Sequence, residues 1–253
     1  LYNRVTHFLN ENQIRPYDAC IVDELQDLSN VELRFVRALC AEASNDLFLV
    51  GDPMQRIYDR KLNFTKAGIH IRGKRSRRLR INYRTTEEIR RRAVGVIQDI
   101  SYDDFDGGEE SKKEYLSLFR LAAPTVWVFD TAEEERAAIL ELIANYQAHR
   151  TWQDGDLNQI AVACRTTTAL KGIKTLLHNE GLPFYDLTAT SKGNRKGSHL
   201  STFHSLKGLE YRYVILADVN KRTCPLRPYG VAQWSEEQKE AHLQAERSLR
   251  YVA

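Results

Sequence analysis

Short apolar runs alternate along this chain with stretches in which apolar positions recur every three or four residues. Runs of the first kind read as buried parallel strands, and the helical period marks the segments packed upon them. The opening segment is helix-like to about Asn10, and Pro16 leads into a strand at Ala19 to Val22. Ser29 and Glu32 have the spacing of a capping box, opening a helix whose apolar stripe is Phe35, Val36, Leu39, Cys40 and Ala43. A strand at Leu47 to Val50, a turn-rich loop and a short apolar-edged stretch reaching Leu79-Arg80-Ile81 follow. Thr85 with Glu88 and Thr131 with Glu134 repeat the capping-box spacing, predicting helices to about Ile100 and Ala148. Strands are predicted at Val126 to Phe129, Ile160 to Cys164, Phe184 to Leu187, Leu200 to Phe203 and Tyr213 to Ala217. A helix from about Thr168 to Asn179 lies among them, and a last one starts near Ser235. Strand–helix alternation of this kind predicts an α/β protein with parallel sheets. The composition break near 79–84 divides the expected domains into residues 1–80 and 81–253.

Composition changes this picture little. At 253 residues the chain has room for one large or two modest domains, and no apolar stretch approaches the ~18 residues of a membrane span. The four cysteines, Cys20, Cys40, Cys164 and Cys224, form no CxxC pair and have no histidine at metal spacing, so buried free thiols in a reducing cytoplasm are expected. Net charge is only +3, but its distribution is uneven: ten Lys or Arg stand between Arg72 and Arg92 against two acids, Glu87 and Glu88. That block reads equally as a solvated surface or as a track for a phosphate backbone. The acidic, Gly-containing stretch Asp103 to Lys113 reads as an exposed loop or a partly disordered one.

The candidate chemistry begins at Ile21-Val22-Asp23-Glu24-Leu25-Gln26-Asp27, an apolar run ending abruptly in acids. Ligands of α/β sheets sit beyond the carboxyl ends of strands, and acids placed there can hold Mg²⁺ and align a water for attack on a phosphate. A bare Asp-Glu pair is common. Asp-Glu-x-Gln-Asp followed by a second apolar run that ends in Gly51-Asp52-Pro53-Met54-Gln55 is far more specific.

Five segments then stand in order: Ile21 to Asp27, Leu47 to Tyr58, Leu79 to Thr86, Leu200 to Glu210 and Ala245 to Ala253. Together they resemble the motor motifs of superfamily 1 DNA helicases of the UvrD/Rep/PcrA kind. The resemblance implies two RecA-like domains that clamp ATP and step 3′–5′ along single-stranded DNA. It implies that Asp23 holds Mg²⁺, that Glu24 is the base orienting the attacking water, and that Gln26 and Asp27 couple the site to its neighbours. Gln55 corresponds to a glutamine that senses the γ-phosphate, and Tyr58 lies near the DNA path. In Asn82-Tyr83-Arg84, Tyr83 would stack on adenine and Arg84 would reach the γ-phosphate. In the later segment Thr202 and His204 would meet DNA phosphates or the domain interface, Gly208 would allow close backbone approach, and Glu210 would accept from the ribose.

The chain departs from that pattern in several places. The string GxxxxGK[ST] is absent; Gly68 to Arg75 has the glycine and lysine spacing but carries Arg75 where a Mg²⁺-binding hydroxyl is required, and it follows the acidic motif. Arg60 stands where the family often has a base-stacking aromatic, a contact typically worth ~1–3 kcal/mol. The sequence stops at Arg250-Tyr251-Val252-Ala253, before the Thr-Arg-Ala-like stretch that the resemblance implies. Both ends therefore read as cut inside a larger motor, and the short gap from Pro183 to Leu200 predicts a compact translocase. The isolated chain is expected to hydrolyse little ATP. Two alternatives stay open: the motor part of a helicase–nuclease, and a degenerate helicase-like module that binds nucleic acid or a partner protein without hydrolysis.

Overall fold

The computed structural model describes residues 1–57, 62–71, 75–105, 108–112, 115–148, 156–189 and 196–253. They pack as two compact units, Leu1–Ala123 and Pro124–Ala253. Every strand ladder in both is parallel, the α/β arrangement that strand–helix alternation predicts.

The first unit opens with α1 (Tyr2–Glu11), β1 (Cys20–Val22), α2 (Asn30–Ala38) and β2 (Leu47–Leu49). β1 pairs with β2 in the register Cys20↔Leu47, Ile21↔Phe48, Val22↔Leu49. Alternation along the strands turns Val22, Leu47 and Leu49 onto a core of Leu25, Leu33, Phe64, Ala67 and Ile69. Ile21 and Phe48, on the other face, are 80% and 64% exposed. α2 begins where its capping box predicts: Ser29 Oγ accepts from Glu32 N–H, and Glu32 Oε2 accepts from Ser29 N–H at 2.7 Å. Of the expected stripe Cys40 is buried and Phe35, Val36 and Leu39 are half-buried, but the helix ends at Ala38, its own buried side chains are Leu33 and Ala38, and Ala43 is exposed.

The same unit continues with β3 (Ile81–Thr86), α3 (Glu87–Val96) and β4 (Leu116–Phe119), β3 pairing with β4. The strand expected at Val126 to Phe129 makes no ladder; the partner of β3 is β4, and Val126, Trp127 and Val128 are exposed. Nor is the acidic stretch a free loop. Asp103 and Glu109 form an antiparallel bridge, Glu110 N–H donates to Tyr102 O at 2.8 Å, and Glu110 is buried. Packing thus divides the chain at Ala123/Pro124, downstream of the composition break near 79–84.

The second unit holds α4 (Ala132–Ala148), β5 (Ile160–Cys164), α5 (Thr167–Asn179), β6 (Phe184–Asp186), β7 (Ser198–Thr202), α6 (Phe203–Leu206), β8 (Tyr213–Ala217) and α7 (Glu236–Val252). Its sheet runs β6-β7-β5-β8, and all five residues of β5 are buried. Ile139 and Ile143 of α4 and Leu170, Ile173 and Leu177 of α5 close over Val162, Cys164, Leu200 and Ala217. All four cysteines are free, and burial pushes the Cys40 and Cys164 thiols up to about 11 and about 12. Among the described residues no helix is long and apolar enough to cross a membrane.

Candidate nucleotide and nucleic-acid site

β1 delivers Asp23 and Glu24 to its carboxyl end, where both are exposed. Glu24 takes the left-handed conformation, φ 53°, and its N–H donates to Asp23 Oδ1 at 2.8 Å. A non-glycine residue there stores strain and persists only when its surroundings hold it. The hold comes from Gln26, which is 1% exposed. Gln26 Nε2 donates to Glu24 Oε2, and Gln26 Oε1 accepts from Asp52 N–H at 3.0 Å. Asp52 in turn accepts from Met54 N–H at 2.9 Å and from Gln55 Nε2 at 3.0 Å. Leu25 N–H donates to Val50 O at 2.9 Å, which fixes the two strand ends side by side. A Cβ on Gly51 would sit 2.8 Å from Leu25 Cβ and 2.9 Å from Gln26 Oε1, so only glycine lets the second run pass. Burial, with the Glu110 and Glu24 charges adding to it, raises the Asp52 carboxyl above its ordinary value. Glu24 and Gln55 are therefore linked by hydrogen bonds that run through the Gln26 side chain, the backbone N–H of Asp52 and the Asp52 carboxylate.

Near the start of β3, Asn82 shapes the residues that follow it. Its Oδ1 accepts from Arg84 N–H at 2.8 Å and Thr85 N–H at 3.2 Å, and its Nδ2 donates to Thr85 Oγ1 at 2.6 Å. This turn leaves Tyr83 66% exposed and Arg84 exposed. α3 is capped by Thr86, whose Oγ1 accepts from Ile89 N–H, one residue later than the Thr85–Glu88 spacing predicts. Glu87 is buried against Arg90, Arg91 and Ser117 N–H, which hold its carboxyl far below the usual range.

In the second unit β7 ends at Thr202, which caps α6 by accepting from Ser205 N–H. Phe203 and Leu206 anchor this one-turn helix in the core, leaving His204 exposed. Partial burial, then the Arg165 charge, lowers the His204 pKa. Gly208 has φ +79° with nothing near its absent Cβ, so backbone conformation rather than crowding selects glycine in this structure. Glu210 is exposed in the same turn. Beside these lies Arg165, at the end of β5, in a bidentate pair with Glu246 of α7. Both side chains are largely buried, and Glu246 also accepts from Leu226 N–H at 3.0 Å.

These pieces match one family at both ends of the chain. Residues 2–75 match the UvrD/REP helicase N-terminal domain and residues 186–253 the UvrD-like helicase C-terminal domain. The chain belongs to the UvrD-like helicases. No curated protein matches it. Within the first unit the helicase reading brings Asp23, Glu24 and Gln55 together; Tyr83 and Arg84 stand on β3, and Thr202, His204, Gly208 and Glu210 lie together in the second unit. Tyr58 and Arg60 fall outside the described residues, as does part of the Gly68 to Arg75 string.

Members of this family use ATP and Mg²⁺, and the donor set fits a magnesium ion. Mg²⁺ usually takes one or two protein carboxylates and completes its shell with phosphates and water. Asp23 offers such a carboxylate in an exposed position, and no cluster of three potential ligands occurs among the described residues. Sequence reasoning assigned Gln26 only a general coupling role and passed over Asp52, Asn82 and Arg165. Gln26 with Asp52 and Arg165 with Glu246 meet across 26 and 81 residues, which spacing does not show, whereas the Asn82 turn is local.

Proposed function

We propose that this helicase chain supplies the hydrolysis-coupling part of an ATP-driven translocase that moves along single-stranded DNA. The observation that carries the reading is the hydrogen-bonded series Glu24–Gln26–Asp52–Gln55, which ties a candidate base to a candidate γ-phosphate sensor. Bound Mg²⁺–ATP would supply the electrophilic phosphate and neutralise its developing charge. Asp23 would hold the metal, while Glu24, oriented by Gln26, would accept the proton of the attacking water. Gln55, steadied by Asp52, would report the γ-phosphate to the segment that follows it. Tyr83 offers an exposed face for adenine, Arg84 a cation for developing phosphate charge, and Glu210 an acceptor for ribose. Gly208 keeps the turn before Glu210 in its left-handed conformation. Thr202, His204 and Tyr58 are assigned to the DNA track. The functional division near residue 80 follows the motifs, whereas packing divides at 123.

The test has two parts. The 253-residue chain should bind single-stranded DNA with an affinity that falls with salt, by about −0.7 in log–log slope per phosphate contacted. It should turn over little ATP by itself, because its sequence lacks GxxxxGK[ST]. Joined to a segment that carries a P-loop, it should show DNA-stimulated turnover that Glu24→Gln abolishes. Unchanged turnover in Glu24→Gln would sink the catalytic assignment. DNA binding with no turnover in either form would favour the degenerate binding module.

A further inference from the structure

The acidic stretch after α3 is paired, side chain by side chain, with arginines that flank the proposed DNA track. Arg56 stands between Gln55 and Tyr58 in the sequence, and its Nη1 and Nη2 donate to Asp103 Oδ2 and Oδ1 at 2.7 and 3.3 Å. Arg78, in the basic connector, donates through Nη2 to Asp104 and lies 3.9 Å through Nε from Glu110 Oε2. Three carboxylates of one short hairpin thus occupy two guanidinium groups. A bidentate carboxylate and a phosphodiester present the same two-oxygen edge to a guanidinium, so each can replace the other.

Two details mark this as more than a surface ion pair. The Arg56 side chain is only 10% exposed, yet its Nε–H has no hydrogen-bond partner among the described residues. A buried donor left bare is costly, and Asp103 satisfies only one edge of the group. Asp103 itself remains 40% exposed, so the carboxylate covers the guanidinium from the solvent side. The hairpin is seated by Phe105, whose ring lies under the Arg56 guanidinium at 5.3 Å and edge-on to Phe64 at 6.1 Å. The ring thus packs against the Arg56 guanidinium while Asp103 holds it.

We infer that Arg56 and Arg78 form a phosphate-binding pair for single-stranded DNA, and that the carboxylates of Asp103, Asp104 and Glu110 are built-in competitors for them. The inference rests on the proposed DNA-binding function and adds two contact residues and their regulation. Asp103, Asp104 and Glu110 occupy the pair in the free chain; DNA phosphates displace them, so binding is weakened by the fraction of molecules in which the pair is closed.

The experiment measures single-stranded DNA affinity across a salt series for four chains. They are the unaltered chain, D103N/D104N/E110Q, R56Q/R78Q, and the two sets combined. The triple variant should bind about tenfold tighter, as expected when a closed fraction near nine-tenths is released. Its salt slope should steepen by about 1.4, corresponding to two more phosphates at ~0.7 each. Adding R56Q/R78Q should remove both gains. DNA binding that is unchanged or weaker in a folded triple variant would overturn the inference while leaving the proposed function standing. No DNA binding by any of the four at low salt would overturn both. Should the triple variant not fold, the unaltered chain decides the matter through cleavage after Glu109 and Glu110 by a glutamate-specific protease. Saturating DNA should accelerate that cleavage if the hairpin is displaced, and equal rates with and without DNA would refute displacement.

Discussion

The two units solve the same packing problem to different degrees. In the second, β5 is buried along its whole length between β7 and β8, with α4 and α5 closing over Val162, Leu200 and Ala217. In the first, two separate two-stranded ladders each leave apolar side chains bare: Ile21 and Phe48 on β1–β2, and Ile81, Leu116 and Leu118 on β3–β4. A sheet of two strands has little apolar face to bury and is marginal without outside support. The first unit is instead held where the chemistry sits, by polar contacts among Glu24, Gln26, Asp52 and Gln55 and by the hairpin ion pairs. The same contacts that position the candidate base thus also hold β1 and β2 at their carboxyl ends. In the second unit stability and site are separable, because the core lies beneath Thr202 and His204 and does not pass through them.

The largest effect is expected at Arg165. Replacing it by Met leaves Glu246 buried with Leu226 N–H as its remaining hydrogen bond among those described above, and breaking a buried pair typically costs ~3–5 kcal/mol. Thermal unfolding of the second unit should shift accordingly, with much of the loss recovered in Arg165→Met/Glu246→Leu. The acid limb gives a second reading. Burial would raise the Glu246 carboxyl, but the Arg165 hydrogen bonds and Leu226 N–H outweigh it and hold the group below its ordinary value of 4.5. The pair's stabilisation is therefore complete above that pH and is lost as pH falls through the lower folded value. The double variant should lack this acid-side loss. Equal acid profiles in the unaltered and double-variant chains would mean that the pair contributes nothing to the second unit.

An intermediate effect is expected at Gly51, where site and stability coincide. A methyl group there would overlap Leu25 and Gln26, and overpacking of this kind costs ~1–3 kcal/mol. Because Gln26 must move, Gly51→Ala should also release Glu24 from its left-handed conformation. Hydrogen exchange at the amides of Leu25 and Asp52 reports this directly, since their acceptors are Val50 O and Gln26 Oε1. Slow exchange retained at both would show that the strand ends are held by something other than this relay.

What the sequence discloses follows the range of the interaction. The caps at Ser29 and Thr131 are readable because donor and acceptor stand three residues apart. The cap at Thr85 was misplaced by one because Asn82 captures Thr85 and passes the role to Thr86, a competition that spacing alone does not show. The motif acids were legible because strand ends in α/β sheets expose their residues. The contacts that orient them were not. Gln26 meets Asp52 across 26 residues and Arg56 meets Asp103 across 47, so the first looked like a neighbour of the acids, and nothing in the second pair's spacing tied Arg56 to the acidic stretch. The apolar run at Val126 to Phe129 failed for a related reason: hydrophobicity marks a strand's readiness to pair, but the ladder needs a partner, and β3 has β4.

The smallest expected effect tests the opening contrast most sharply. Ile21 lies in the middle of β1 and is flanked by Cys20 and Val22, yet its side chain is 80% exposed. If the outward face of β1–β2 is bare, Ile21→Thr keeps the β-branch, removes almost no buried area, and should change stability by no more than ~0.5 kcal/mol. Leu200→Ala, inside the second unit's core, should cost ~2–5 kcal/mol. Denaturant melts of the two variants side by side measure the difference in burial between the units. A loss above ~1 kcal/mol for Ile21→Thr would mean that this face is covered in solution, and a copy of the chain would be the first candidate to seek by sedimentation. A negligible loss would leave the first unit as drawn, a small core whose order depends on the hydrogen bonds of its own candidate site.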